Sequence, residues 1–203
     1  RRRVAAMAWD IRDKRVLITG ATDGIGKAVA LALAKRGAIL VLVSRDRERG
    51  EEAVQELRRR GGNNTIEMLV CDLAVLSSVA ECAKECMRRF NTLHVLIHVA
   101  GVLAATREEH EGVERTMAVN YLAPVLLTEL LLPLLEQSAP ARLIMVTSSM
   151  HKYGVIDLDR LDGQGSYDGT QAYANAKLAL MLYALHLSRV LSPKDVLVTT
   201  VHP

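Results

Sequence analysis

The sequence lacks a strong excess of either charge. Its 203 residues include 26 lysines and arginines and 23 aspartates and glutamates, which leave a formal net charge of +3. Because the basic residues are spread along the chain, they do not form the concentrated basic surface that nucleic-acid binding requires. We therefore expect no nucleic-acid partner.

Cysteine is scarce, and no secretory segment is recognisable. The three cysteines are Cys71, Cys82 and Cys86, and an odd number without a signal peptide fits reduced thiols and a cytoplasmic location. Cys82 and Cys86 lie one helical turn apart with His94 close behind, an arrangement that could suggest a metal site. Small apolar side chains in a core helix are the simpler interpretation, so no metal site is predicted.

No apolar run is long enough to span a bilayer without interruption. The apolar stretch after the three opening arginines ends at Asp10, and the leucine-rich run at residues 121–135 is short and contains Glu129, Pro124 and Pro133. We expect no transmembrane segment in this chain. Since the first residue is not methionine, a membrane anchor before it stays an open alternative.

Short runs rich in β-branched residues alternate with longer helical patterns. Several strands are apolar on both faces, which is typical of a parallel sheet covered by helices on each side. The sequence therefore predicts an α/β fold with a doubly wound, Rossmann-like parallel sheet in one domain over residues 1–203. Strands are predicted at residues 16–19, 39–43, 66–70, 95–98, 143–147 and 196–201. Helices are predicted at residues 24–36, 47–60, 77–90, 108–135 with a break or bend at Pro124, and 170–191.

A glycine-rich stretch, ITGATDGIG at residues 18–26, joins the first predicted strand to the first helix. Such a turn lets the backbone approach a phosphate closely, while the helix N-terminus adds free N–H groups and partial positive charge. Glycines can also serve a tight turn alone, so this motif is not decisive by itself. The predicted binding residues of the turn are Gly20, Thr22, Asp23, Gly24, Ile25 and Gly26.

Tyr173 and Lys177 lie four residues apart on one predicted helix and present their side chains to the same side. A phenol has an ordinary pKa of about 10, and a neighbouring cation lowers it. Tyr173 could then exchange a proton with a substrate oxygen near neutral pH. The same spacing also occurs on ordinary amphipathic helices.

Together these motifs resemble the short-chain dehydrogenase/reductase family over nearly the whole chain. The segment TGATDGIG matches the family's TGxxxGxG pattern, and YANAK at residues 173–177 matches YxxxK. The resemblance implies hydride transfer between a nicotinamide cofactor and a small carbonyl or alcohol. The other matches are Asp72 with Leu73, Ala100 with Gly101, Asn120, the serine pair at 148–149, and the final His202 and Pro203.

The resemblance also implies a role for each matching residue. Tyr173 would give or take the proton, and Ser149, the second serine of the pair, would hydrogen-bond the carbonyl oxygen. Lys177 would also hold the nicotinamide ribose, while Asn120 would hold a water in the proton relay. The implied catalytic residues are Asn120, Ser149, Tyr173 and Lys177. The implied cofactor-binding residues beyond the glycine turn are Arg45, Asp72, Leu73, Ala100, Gly101, Asn120, Tyr173 and Lys177.

Arg45 follows the second predicted strand and bears on the choice of cofactor. An acid at this position binds the ribose hydroxyls of NAD, whereas an arginine accommodates the extra phosphate of NADP. Arg45, helped by Lys27 or Arg47, predicts NADP(H) in preference to NAD(H). The adjacent Asp46 weakens the argument, and a surface arginine at the start of a charged helix is the alternative.

Three features depart from the family pattern. His98 and Val99 stand where the family usually has two asparagines, and we interpret His98 as a core residue. Ser149 and Tyr173 lie farther apart than in the shortest family members, residues 151–168 fill the difference, and a glycine-rich loop at 154–169 is expected beside the site. With SSMHKYG and YDGTQAYANAKLAL this region is similar to the branch with retinol dehydrogenases and the WW-domain oxidoreductase, which often handles lipophilic substrates. The chain ends at Pro203, so the resemblance predicts a truncated protein without its substrate lid.

The predicted function is an NADP(H)-dependent carbonyl reductase or alcohol dehydrogenase. The alternative is a non-catalytic dinucleotide-binding sensor or scaffold, in which the His98 and Val99 change reflects lost turnover. A sugar-nucleotide epimerase usually has TGxxGxxG spacing, and a serine hydrolase would carry the G-x-S-x-G motif that this sequence lacks. Family members often form homodimers through the helices predicted at 108–135 and 170–191, and whether these helices pack on a second subunit stays open.

Overall fold

A six-stranded parallel sheet forms the centre of the computed structural model, which describes residues 9–157 and 166–203. The strand order β3-β2-β1-β4-β7-β8 reverses direction between β1 and β4, where a doubly wound sheet opens a crevice at its carboxyl edge. The strands are β1 (Arg15–Thr19), β2 (Ile39–Ser44), β3 (Ile66–Val70), β4 (Val95–His98), β5 (Glu109–His110), β6 (Val113–Glu114), β7 (Ala141–Val146) and β8 (Val196–Val201), of which β5 and β6 form a separate antiparallel hairpin.

Helices cover both faces of the sheet. On one face, α1 and α2 pack over Val16 and Ile18, while α3, α5 and α6 pack over Leu17 on the other. Alternate residues of one strand thus enter two separate cores, which confirms the predicted doubly wound α/β fold. The helices are α1 (Gly24–Ala34), α2 (Arg47–Gly61), α3 (Leu76–Arg89), the single turn α4 (Arg115–Met117), α5 (Ala123–Gln137) and α6 (Gly169–Val190). A π-helical turn (Ala118–Leu122) joins α4 to α5, and a 3-10 turn (Ser149–Tyr153) follows β7.

One predicted helix was wrong over its first seven residues. Residues 108–114 include the β5–β6 hairpin, and the helical segment begins at Arg115. Glu111 and Gly112 have φ angles of +52° and +75°, a left-handed conformation that reverses the chain and cannot continue a helix. A break or bend was expected at Pro124; the structure has a π turn at Ala118–Leu122, and Pro124 lies in the first turn of α5.

The helical segment Arg115–Gln137 is long and apolar enough to cross a membrane by length and composition, with a mean hydropathy of 1.7. Half of the 18-residue window with this hydropathy is buried inside the domain. Leu127, Leu131 and Leu135 of the segment belong to the core beside α3 and α6. A core helix and a membrane span satisfy the same criteria, so the cytoplasmic location stays a prediction. Residues 158–165 of the loop expected at 154–169 lie outside the described residues.

Candidate active site

A cleft of about 1180 Å³ opens at the carboxyl edge of the sheet, between the β1–α1 turn and the start of α6. It lies at the reversal of strand order, where open α/β sheets bind ligands. Thirteen of the residues that the sequence predicts for a site line this cleft. They are Gly20, Thr22, Asp23, Gly24, Ile25, Gly26, Arg45, Asp72, Leu73, Ala100, Gly101, Tyr173 and Lys177.

The β1–α1 turn can only be built with glycine at two positions. A Cβ on Gly26 would lie 2.0 Å from the carbonyl oxygen of Gly20, and a Cβ on Gly20 would lie 2.8 Å from the backbone of Ala100. Gly20 also has a φ of +69°. Asp23 caps α1 by accepting a hydrogen bond from the Gly24 N–H at 2.7 Å. The turn therefore holds the N-terminus of α1 against the end of β4, with its backbone open to the cleft.

Arg45 and Arg49 lie where β2 passes into α2. In the part of the chain that the structure describes, the guanidinium groups of Arg45 and Arg49 make no hydrogen bond or ion pair, and both residues line the cleft. Asp46 lies between them, but its carboxylate caps α2 by accepting the Arg49 N–H at 3.0 Å. This corner of the cleft can therefore attract an anion.

Lys27 and Arg47, named as helpers of Arg45, are not in the cleft lining. Lys27 pairs with Glu56 on α2, and Arg47 lies 3.9 Å from Glu51. The sequence missed Arg49 because an arginine one helical turn after Arg45 is an ordinary surface pattern. What distinguishes Arg49 is that, among the residues the structure describes, no acidic side chain pairs with its guanidinium.

Lys177 is buried beside Tyr173 on α6. Its side chain is 2% exposed, its Nζ donates a hydrogen bond to the Val146 carbonyl oxygen at 3.1 Å, and the Nζ lies 5.5 Å from the centre of the Tyr173 ring. Burial lowers the pKa of Lys177 from 10.5 to about 8. A Cβ on Gly101 would lie 2.9 Å from the Asn120 Oδ1, so glycine lets the backbone after β4 approach Asn120 beside this Nζ.

Asn120 lies beneath the cleft rather than in its lining. The residue is fully buried on the π turn, and its Nδ2 donates to the carbonyl oxygens of Val102 at 2.7 Å and Thr116 at 2.8 Å. Its Oδ1 accepts the Val102 N–H at 3.3 Å. The side chain thus ties the loop after β4 to the helical segment.

The structure distinguishes the two serines after β7. Ser148 lines the cleft, whereas Ser149 is exposed and is not among the lining residues. The Ser148 Oγ accepts the Met150 N–H at 3.3 Å, which orients it at the start of the 3-10 turn. Both serines belong to the matching pair in the sequence, and the course of the backbone after β7 decides which of them lines the cleft.

His98 occupies the core below the cleft. It is 2% exposed, and its Nε2 lies 2.9 Å from the Thr128 hydroxyl. Burial and then the nearby Lys177 charge lower the pKa of His98 to about 3, so the imidazole is neutral at physiological pH. Within residues 9–157 and 166–203, no group of three or more His, Cys, Asp or Glu side chains could hold a metal ion.

The β5–β6 hairpin forms a wall of the cleft that the sequence did not predict. Glu108, His110 and Arg115 line the cleft from this side. At the tip of the hairpin, Glu111 accepts hydrogen bonds from the Ser77 N–H at 3.1 Å and from the Ser77 hydroxyl, at the start of α3. Since α3 has no side-chain cap of its own, Glu111 supplies one from a distant segment. The Glu-Gly pair at 111–112 is the local signal for the turn.

Buried Glu114 fixes the end of this hairpin. Its two carboxylate oxygens accept the Thr116 N–H at 2.7 Å and the Met117 N–H at 2.8 Å, and the Tyr167 hydroxyl donates to Oε1 at 3.0 Å. The residue is 2% exposed. It therefore sets the position of α4, and through Thr116 that of Asn120.

Comparison with known proteins agrees with this arrangement. The chain is 42% identical over 195 residues to dehydrogenase/reductase SDR family member 13 from Bos taurus, covering 95% of this chain and 52% of that protein. It is 39% identical over 204 residues to human retinol dehydrogenase 14, covering 94% of this chain and 61% of that one. The chain thus spans about half to three fifths of the length of these relatives.

A solved structure of an uncharacterized protein from Mycobacterium paratuberculosis superimposes with a TM-score of 0.82 at 31% identity, over 96% of this chain and 70% of that one. The sequence pattern of the short chain dehydrogenase family matches residues 14–203, and therefore nearly the whole chain. The chain belongs to the short-chain dehydrogenase family.

Proposed function

We propose that this chain is the dinucleotide-binding and catalytic part of an NADP(H)-dependent oxidoreductase that acts on a carbonyl or an alcohol. The observation that carries the proposal is the placement of Tyr173 and Lys177 in the same cleft as the glycine turn. One end of the cleft suits a pyrophosphate, and the other offers a proton donor beside a buried ammonium.

The residues present fit a nicotinamide dinucleotide. Glycine at positions 20 and 26 allows the tight β1–α1 turn, since a Cβ at either position would clash with backbone atoms, and the N-terminus of α1 that follows the turn favours negative charge. In this proposal Asp72 and Leu73 border the adenine, and Ala100, Gly101 and Lys177 border the nicotinamide ribose. When bound, the cofactor supplies or accepts the hydride, and the protein supplies placement and electrostatics.

Preference for NADP(H) rests on Arg45 and Arg49. Both residues line the cleft, and among the described residues neither guanidinium has a hydrogen-bond or ion-pair partner, so an added phosphate on the adenosine ribose would gain charge-assisted hydrogen bonds there. Asp46 does not oppose this, because its carboxylate is engaged in capping α2. NAD(H) lacks that phosphate and would leave both cations unpaired.

Tyr173 exchanges the proton with the substrate oxygen in this mechanism, and Ser148 hydrogen-bonds the same oxygen as its charge changes. We propose Ser148 in place of Ser149 because Ser148 lines the cleft. Lys177 supplies a positive charge beside the phenol. Asn120 acts as a positioning residue, because its amide binds the backbone at Val102 and Thr116.

The proposed substrates are lipophilic carbonyls or alcohols. Support comes from the relatives, which include a retinol dehydrogenase, and from the apolar side chains of Leu103 and Val102 at the cleft. Leu182 and Leu185 of α6 are 47% and 45% exposed, which supports a homodimer through α5 and α6. Light scattering at several protein concentrations would measure the mass of the assembly.

Replacing Tyr173 with phenylalanine tests the mechanism. Tyr173→Phe keeps the ring but removes the proton donor, so single-turnover oxidation of NADPH with an aromatic aldehyde or a quinone should slow by about 10²- to 10⁴-fold. NADPH affinity, followed by cofactor fluorescence, should stay nearly unchanged. Tyr153→Phe is the matched control, because Tyr153 is 69% exposed and is not among the cleft residues.

Two results would overturn the proposal. If Tyr173→Phe kept most of the wild-type rate, Tyr173 would not be the proton donor. If the wild-type chain bound NADPH but oxidised none across a panel of carbonyls, a non-catalytic dinucleotide-binding role would replace the enzyme.

A further inference from the structure

The segment that leads into α6 carries a tyrosine with no part in the mechanism described so far. The Tyr167 hydroxyl donates a hydrogen bond to Oε1 of the buried Glu114 at 3.0 Å, and its oxygen lies 2.9 Å from the Thr116 hydroxyl. Because a phenol has a single proton and Glu114 receives it, the Thr116 hydroxyl is the donor to the phenol oxygen. Tyr167 therefore joins the start of α6 to the end of β6 and to α4.

Glu114 is a fixed anchor for this tyrosine. It is 2% exposed, and its carboxylate also accepts the N–H groups of Thr116 at 2.7 Å and Met117 at 2.8 Å. Burial raises the pKa of Tyr167 above its ordinary value, and the Glu114 charge adds to this, so the hydroxyl stays protonated and able to donate. The carboxylate keeps its two backbone donors whether or not Tyr167 is bound.

Tyr167 is closely connected to α6. The next residue, Asp168, caps the helix by accepting the N–H groups of Thr170 at 2.8 Å and Gln171 at 3.2 Å. Tyr173 follows in the second turn of the same helix. A displacement of Tyr167 would therefore move the part of α6 that carries Tyr173.

Gly169 brings the first residue of α6 against the loop after β4. A Cβ on Gly169 would lie 1.9 Å from the Ala104 carbonyl oxygen and 3.5 Å from Cε1 of Tyr167, so the tyrosine ring lies beside this close approach. Leu103, which precedes Ala104, is 55% exposed and lines the cleft. The contact thus sets the position of α6 relative to this wall of the cleft.

The same loop is held from its other end by hydrogen bonds that lead back to Glu114. Glu114 accepts the Thr116 N–H, and the Thr116 carbonyl oxygen accepts a hydrogen bond from the Asn120 amide. That amide also binds the backbone N–H and carbonyl oxygen of Val102. A continuous path therefore runs from Tyr167 to Val102, and the loop is fixed on both sides of its cleft-lining residue.

We propose that Tyr167 is a positioning residue for the proton exchange at Tyr173. Bound to Glu114, it holds the start of α6 against the loop after β4 and so fixes the gap between Tyr173 and Leu103, where a substrate would lie. Tyr167 itself is not among the cleft residues, so it acts through the elements that it joins. This inference rests on the proposed function, in which Tyr173 exchanges a proton with the substrate oxygen.

Tyr167→Phe tests the positioning. The change removes only the hydroxyl, and Glu114 keeps its two backbone donors, so we expect the variant to fold. Single-turnover oxidation of NADPH at saturating aromatic aldehyde should slow about tenfold or more, because small misplacements of reacting groups have effects of this size. The NADPH Kd, measured by cofactor fluorescence, should change less than about twofold, since Tyr167 does not line the cleft.

Tyr153→Phe is the matched control, because it removes the same atom from a tyrosine that is 69% exposed. It should keep the wild-type rate. Amide hydrogen exchange followed by mass spectrometry gives a second measurement that needs no turnover. Exchange of the Val102 N–H should become about tenfold faster or more in Tyr167→Phe and stay unchanged in Tyr153→Phe.

Each other outcome decides against part of the inference. A wild-type rate in Tyr167→Phe would show that Tyr167 only supports the fold and would overturn the proposal, as would equal slowing in Tyr153→Phe. A slower rate with unchanged exchange at Val102 would refute the path through the loop. If Tyr167→Phe does not fold, Thr116→Val, which removes only the donor to the phenol oxygen, takes its place under the same criteria.

Failure of the proposed function gives a different result. If the wild-type chain oxidises no NADPH across a panel of carbonyls, the proposed function fails, and the role of Tyr167 in turnover fails with it. Faster exchange at Val102 in Tyr167→Phe would then still establish the connection between α6 and the loop, and unchanged exchange would refute that connection too.

Discussion

Lys177 should make the free energy of unfolding depend on pH in a range where an exposed lysine causes no such dependence. The residue is 2% exposed, and its ammonium donates a hydrogen bond to the Val146 carbonyl oxygen. Burial lowers its pKa from 10.5 to about 8. The unfolded chain therefore binds more protons than the folded chain between these two pH values, and the free energy of unfolding rises with pH across that window.

The magnitude follows from the separation of the two pKa values. One pH unit corresponds to about 1.4 kcal/mol, so keeping Lys177 charged in the fold below pH 8 costs about 3 kcal/mol. Lys177→Met removes this cost together with a hydrogen bond worth about 1 kcal/mol. The variant should be about 2 kcal/mol more stable than wild type near neutral pH, and this advantage should disappear as the pH rises toward 10.5.

Urea unfolding at about pH 7 and about pH 9.5 measures this difference. Subtracting the free energy of unfolding of one protein from that of the other at each pH cancels the contributions of titrating tyrosines and cysteines that lie away from Lys177. Lys152→Met is the matched control, because Lys152 is exposed and should give a difference that does not change with pH. Parallel pH profiles for wild type and Lys177→Met would refute the reasoning that burial depresses this pKa.

Three further results should follow from the site. Arg45→Ala should weaken NADPH binding about tenfold or more and leave NADH nearly unchanged, as measured by fluorescence titration, because only NADPH gains the charge-assisted contact; equal losses would refute the assignment. Glu114→Gln should lower the free energy of unfolding by about 2 kcal/mol, whereas Glu109→Gln on the exposed hairpin should change it little; similar values would contradict the structural role of Glu114. Ser148→Ala should slow single-turnover NADPH oxidation about 10²-fold or more, and the reverse ranking with Ser149→Ala would restore the sequence-based choice.

The glycine turn could be predicted because its causes are local. The β-branched strand, the φ above zero at Gly20 and Gly24, and the helix that follows are all encoded within ten residues. The same holds for Tyr173 and Lys177, whose proximity is fixed by one helical turn. In each case the residue type and the spacing determine the geometry without help from distant segments.

The β5–β6 hairpin could not be predicted because its support comes from elsewhere in the chain. Its tip is fixed by Ser77 at the start of α3, and its end by Tyr167 beyond β7. Locally, residues 108–114 carry four glutamates, a residue type that a helix also accepts. The left-handed φ of Glu111 and Gly112 decides between the two.

His98 shows how a departure from the family pattern can keep a structural role without acquiring a catalytic one. An asparagine side chain carries both a donor and an acceptor, and a neutral imidazole also has one of each. Within the core, the Nε2 atom of His98 forms a hydrogen bond with the Thr128 hydroxyl at 2.9 Å. Full burial and the nearby Lys177 charge both oppose protonation, so His98 cannot deliver a proton to the cleft near neutral pH. In the proposed mechanism the proton exchange therefore belongs to Tyr173, while His98 stays a neutral core residue.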